Sequence, residues 1–179
     1  MALLEAAITV FAQRGLEAPT SAVSKAAGVA EGTLFAYFAT KDELLNQLYR
    51  HVKRELGDAM MSDFPRRKSV RERLHHVWDR FVQWGVGHPD EHQVLMHMER
   101  WGGLSDESCQ AGMAPFWEIH EMEQEAVQQR VVKDLPGQFA VTVLKALAEA
   151  TIDSIRKAPE QAEPLRAAGF EVLWNGLSR

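Results

Sequence analysis

The chain has 179 residues, 46% of them hydrophobic, with a formal net charge of −5. That is enough apolar material for a real core, while the acidic balance argues against a protein that clings to nucleic acid over its whole surface. A lone Cys109 leaves no partner for an intramolecular disulfide or a cysteine zinc site. No apolar run reaches the roughly 20 residues that span a bilayer, and the N-terminus lacks the basic start and small-residue cleavage site of a secretion signal. A cytoplasmic protein with no membrane partner is expected. Leu, Ala, Glu, Gln and Arg run in long stretches that favour helix, with Pro and Gly as punctuation. The expected fold class is all-α.

Leu4, Ala7, Ile8 and Phe11 make one helical stripe, and Gly15 follows where a C-cap glycine would sit, so helix one covers about 2–14. Thr20 offers a hydroxyl N-cap after Pro19, and Gly28 stops a second helix of about two turns. Helix three, from Glu31 to Phe38, is equally short, with Leu34 and Phe38 at i and i+4 as core anchors. Thr40 and Glu43 form a capping box that opens helix four, and Leu45, Leu48, Tyr49, Val52 and Leu56 carry it to about Met60. Pro65 marks the break. The expected division is a head at 1–60, with linking helix four from about 41, and a second domain at 61–179.

In the second domain Val70, Leu74, Val77, Trp78, Phe81 and Val82 share a helix face that ends near Gly85 or Gly87. His88-Pro89-Asp90-Glu91 restarts a helix with proline at N1 and runs it to about Trp101. Ser105 can cap a further helix to about Val132, with Pro115 forcing a kink or break. Pro136 to Lys157 and Leu165 to Leu177 give the last two helices.

Residues 1–57 hold six basic side chains (Arg14, Lys25, Lys41, Arg50, Lys53, Arg54) and six acidic ones (Glu5, Glu17, Glu31, Asp42, Glu43, Glu55). The head is therefore neutral, and any DNA contact must be local. Two short helices joined by a glycine-containing turn and held down by a longer one make a helix-turn-helix. The residues Glu5-Ala6-Ala7, Phe11, Gly15, Thr20, the run Ala26-Ala27-Gly28-Val29-Ala30-Glu31-Gly32-Thr33-Leu34-Phe35-Ala36-Tyr37-Phe38, Lys41 and Leu44-Leu45 together resemble the TetR family of one-component transcriptional regulators.

The resemblance covers about residues 4–50 and implies a three-helix helix-turn-helix DNA-binding head followed by a C-terminal helical bundle for ligand binding and dimerisation. It implies that Thr20 and Ser21 hold a phosphate at the start of helix two. Ala30, Glu31, Gly32 and Thr33 would face base edges, and Phe35 would touch a thymine methyl or a sugar. Tyr37 and Lys41 would contact the phosphate backbone. Three positions depart from the family pattern. Ala30 stands where serine is frequent, and Phe35 where tyrosine is. Glu31 stands where a basic residue is frequent, and it would repel phosphates unless it accepts from cytosine N4. The partners implied are a double-stranded DNA operator, a second copy of the chain joined through the last two helices, and a small-molecule effector whose binding shifts helix four.

The body is rich in large soft side chains, of which Trp78, Phe81, Met96, Trp101, Met113, Phe116 and Trp117 are the expected ligand pocket, suited to a hydrophobic or aromatic molecule. His88 and His92 share a helix face but His97 lies off it, so surface histidines are expected and no metal or other cofactor. No Ser/His/Asp order, phosphate loop, dinucleotide fingerprint or HExxH helix appears, so no enzyme is expected. The reading is a ligand-responsive repressor that binds a palindromic operator as a dimer. The alternative, kept open by the neutral head and Glu31, is a protein-interaction module of helix-turn-helix shape that no longer binds DNA specifically.

Overall fold

The computed structural model describes residues 2–136 and 138–179, and within them the chain is all-helical apart from one isolated bridge. Four helices lead: α1 (Ala2–Arg14), α2 (Thr20–Ala26), α3 (Glu31–Tyr37) and α4 (Lys41–Met61). Six follow: α5 (Val70–Gly87), α6 (Pro89–Arg100), α7 (Asp106–Met113), α8 (Trp117–Gln128), α9 (Phe139–Lys157) and α10 (Ala162–Leu177). Short 3-10 turns at Ala114–Phe116 and Pro159–Gln161 complete the order.

The stop and start signals act locally as expected. Gly15 and Gly28 take φ values of 75° and 69°, the left-handed conformation open to glycine at little cost. At α4 the Glu43 amide donates to Thr40 Oγ1 (3.1 Å), and the Glu43 carboxylate in turn accepts from the Ala39 amide (2.8 Å). Ser105 Oγ accepts from the Ser108 amide and caps α7. Pro115 breaks the expected long helix into α7, a 3-10 turn and α8, because its ring cannot donate to the helical ladder.

Two local expectations are corrected. Pro19, in extended conformation, occupies the N-cap of α2 with no side-chain cap, so the Thr20 hydroxyl lies one position inside the helix and is spent elsewhere. α8 stops at Gln128 and does not continue to Val132. There a long-range pairing wins: Lys133 N donates to Leu177 O (2.8 Å), and Val132 bridges Ser178, which takes this backbone out of the helix.

The chain packs as two compact units. The first comprises the residues up to Leu56 together with His88–Pro115, and the second Gly57–Gly87 with Phe116–Arg179. In the first, α1 packs on α2 and α6, and α2 on α3. Phe11, Val23, Leu34, Leu44, Leu48, Leu95 and Met98 fill its core. In the second, α5 packs on α8, α9 and α10, and α9 on α10. Trp78 is fully buried at its centre and donates from Nε1 to Arg166 O (2.9 Å). A Cβ on Gly169 would stand 2.5 Å from the Trp78 ring and 2.6 Å from Thr151 Oγ1, so α10 approaches this closely only because that position carries no side chain.

Candidate nucleic-acid interface and effector cavity

The turn between α2 and α3 is a Schellman closure: Gly28 N donates to Lys25 O (3.2 Å) and Val29 N to Ser24 O (3.0 Å). It turns the chain directly into α3, whose N-cap, Ala30, supplies no side-chain acceptor. The α3 helix is anchored by one fully buried side chain, Leu34, with Phe38 buried just beyond its end. Every other residue of the helix is exposed, including Phe35 at 42% and Tyr37 at 68%. A seven-residue helix that offers five side chains to its surroundings, two of them aromatic, is poorly explained by core packing.

Each expected contact residue can be placed. Ala30, Glu31, Gly32, Thr33, Phe35 and Tyr37 lie exposed along α3, Ser21 lies exposed on α2, and Thr20 and Lys41 are partly exposed at the starts of α2 and α4. Thr20 Oγ1 donates to Glu31 Oε1 (3.1 Å), which ties the starts of the two short helices together. Both residue types were conspicuous in the sequence, but their pairing was not, since eleven positions separate them.

The second unit contains an apolar cavity bounded by α5, α8 and α9, with the 132–135 segment and Leu177 closing it. Its walls include Leu74, Ile119, Met122, Val141, Leu144 and Leu177, with Glu123 and Lys133 as its charged members. Lys133 Nζ donates to Gly176 O (2.8 Å). None of the seven pocket residues read from the sequence lines this cavity. Trp78 and Phe81 are core of the second unit, Phe116 is buried there, and Trp117 is 58% exposed. Met96 and Trp101 are partly exposed in the first unit, and Met113 is exposed there. The seven are thus divided between the two units. The lining residues are mostly aliphatic, and the sequence marked Val70 and Leu74 only as part of one apolar helix face.

On α9 and α10, Phe139, Ala146, Ala150, Ala168, Val172 and Gly176 are exposed. Gly169, by contrast, is used within the chain against Trp78. Among the described residues no helix is long and apolar enough to cross a membrane.

The pair α2 and α3 with its tight turn is a helix-turn-helix, a motif whose second helix can enter a major groove. Residues 3–48 match the family model described as bacterial regulatory proteins, tetR family. The chain is similar to the fatty acid metabolism regulator protein of Bacillus subtilis, 31% identical over 75 residues, which covers 41% of this chain and 39% of the relative. The chain thus matches about two fifths of the length of such curated relatives. The fold is shared over nearly the whole chain. A tetR family transcription regulator from Shewanella sp. PV-4 superposes with a TM-score of 0.88 at 24% identity, covering 99% of this chain and 97% of that one. The transcriptional regulator FadR from Bacillus subtilis, in complex with stearoyl-CoA, superposes with a TM-score of 0.73 at 20% identity over 98% of both chains.

Proposed function

We propose that this chain is a ligand-responsive transcriptional repressor acting in the cytoplasm, binding a palindromic operator as a homodimer and released by a small hydrophobic effector. The observation that carries the reading is the exposure of α3, with Glu31, Gly32, Thr33, Phe35 and Tyr37 presented together above a single buried anchor. In the major groove Thr33 and Phe35 would meet base edges, while Ser21, Tyr37, Lys41 and the uncapped first amides of α3 would hold phosphates. Thr20 holds Glu31 by one carboxylate oxygen, leaving the other free to accept from cytosine N4. Two such heads read half-sites about 34 to 36 Å apart, which requires a dimer. The exposed apolar and small residues of α9 and α10 suit that contact. The functional division is a DNA-binding segment at 1–60 and an effector and dimerisation segment at 61–179.

The effector site is the apolar cavity of the second unit, where aliphatic walls and few charges suit an extended or aromatic hydrophobic molecule. The likeness to a fatty acid metabolism regulator and to a fold that holds stearoyl-CoA supports acyl chains as the first class to try. Selection of bound duplexes from a random pool tests the DNA reading. A palindromic site whose binding weakens in Thr33→Ala and Tyr37→Ala is expected. Binding indistinguishable from random DNA at physiological salt would instead favour a protein-interaction module, the reading that the neutral head supports.

A further inference from the structure

Glu5 on α1 and His51 and Glu55 on α4 converge within the first unit, away from the α2–α3 turn in sequence and untouched by the reading above. Their donor atoms all lie within 4.8 Å of one another. His51 Nε2 stands 3.2 Å from Glu55 Oε1 and 4.0 Å from Glu5 Oε1. The i,i+4 spacing places the imidazole and the Glu55 carboxylate on one face of α4. Both carboxylates reach solvent, but the His51 side chain is only 8% exposed.

Two observations separate this group from an ordinary cluster of surface acids. The first is that His51 Nε2 is buried without a hydrogen-bond partner, so the approach of Glu55 at 3.2 Å lacks hydrogen-bond geometry. On the other side of the ring, Nδ1 lies 3.0 Å from an Arg54 guanidinium nitrogen. A guanidinium can only donate, so Nδ1 accepts and Nε2 is the atom left facing the two carboxylates. The second is that among the described residues neither Glu5 nor Glu55 pairs with a lysine or arginine. Two carboxylates therefore meet at a buried nitrogen with no permanent cation between them, an arrangement that repels itself and attracts one.

We propose that Glu5, His51 and Glu55 form a site for a divalent first-row transition ion, with zinc as the test ion. One imidazole nitrogen and two carboxylate oxygens suit a borderline ion better than calcium or magnesium, which take all-oxygen sets. Zinc–ligand bonds of roughly 2.0 to 2.2 Å put tetrahedral donors roughly 3.3 Å apart. His51 and Glu55 already stand at that separation, and the exposed Glu5 closes the remainder by a rotamer adjustment. On binding, the ring proton moves from Nε2 to Nδ1, and the exposed Arg54 swings off Nδ1. Three protein ligands leave a fourth position to water. The ion ties α1 to α4.

Titration calorimetry of the full chain with zinc chloride, at neutral pH in a non-chelating buffer, tests this. One equivalent is expected to bind, with affinity falling by about tenfold or more in each of Glu5→Gln and Glu55→Gln, and zinc is expected to raise the Tm of the wild type but not of the double variant. Both glutamines replace exposed carboxylates, and circular dichroism checks that the fold is kept. His88→Gln controls for a competing histidine, the one that precedes α6, and is expected to leave the affinity unchanged. Zinc affinity indifferent to Glu5→Gln and Glu55→Gln, or the absence of any heat and Tm shift at millimolar zinc, would overturn the site.

Discussion

The two units build their working surfaces in opposite ways. In the first, the candidate interface is drawn from one short stretch, Thr20 to Lys41, and consists of side chains that the fold leaves exposed. In the second, the cavity gathers residues from Val70 to Leu177, and consists of mostly apolar side chains that the fold partly closes over. The first needs only a local motif held rigid by Leu34. The second exists only once α5, α8, α9 and the chain end have met. Exposure in one case and enclosure in the other make the two sites separable by mutation.

The largest effect should come from Leu34→Ala. It empties a fully buried site under α3 and should cost about 2 to 5 kcal/mol of stability in the head. Hydrogen exchange would locate the damage: amides of α2 and α3 lose protection while those of α9 keep theirs. Uniform loss across both units would collapse the comparison into a single cooperative unit. Gly169→Ala is the counterpart in the second unit. Its methyl meets Trp78 and Thr151 at under 3 Å, and overpacking of that kind should cost about 1 to 3 kcal/mol, read as a lower denaturation midpoint with DNA affinity retained.

At the interface itself, Thr33→Ala and Tyr37→Ala should each weaken operator binding by about tenfold or more, a loss of roughly 1 to 3 kcal/mol, without moving the Tm, since both side chains are exposed. Measuring the same pair against effector binding sharpens the contrast, because no change is expected there. Conversely, Leu144→Trp should fill the cavity and abolish the response to acyl ligands while leaving operator affinity in place. An unaltered ligand response would move the effector site elsewhere.

The smallest effect is alkaline. Burial chiefly, and then the charges of Glu99 and Cys109, push the Tyr49 phenol up to about 12 from an ordinary 10.0. The folded state holds this proton more tightly than the unfolded chain, so stability is unaffected below pH 10 and falls as pH rises from 10 towards 12. Phenolate absorbance follows it cleanly, because the chain has only two tyrosines. Tyr49→Phe should remove that part of the alkaline decline, and a decline unchanged in the variant would assign it to other groups.

Much of the head was legible because its signals are short-range. Gly15, Gly28, the Thr40–Glu43 box and the Leu34–Phe38 pair each act within a few residues, and each holds in the fold. Pairings across sequence were not legible. Thr20 reads as an N-cap until α3 is seen to bring Glu31 to its hydroxyl. The helix after Pro115 reads as reaching Val132 until the chain end competes for its backbone.

By itself, then, the sequence determined the helical class, the helix starts and stops of residues 2–61 to within a residue or two, and the stretch of α2 and α3 that faces outward, because periodicity, caps and glycines are local physics. Only the tertiary structure decided which apolar side chains became core and which became cavity. Trp78 and Trp117 are the same residue type, both on amphipathic helices, yet one is sealed beneath Gly169 and the other stands in the open. Burial depends on which surfaces meet, and that is set by contacts between residues far apart in the chain, to which composition and spacing are blind.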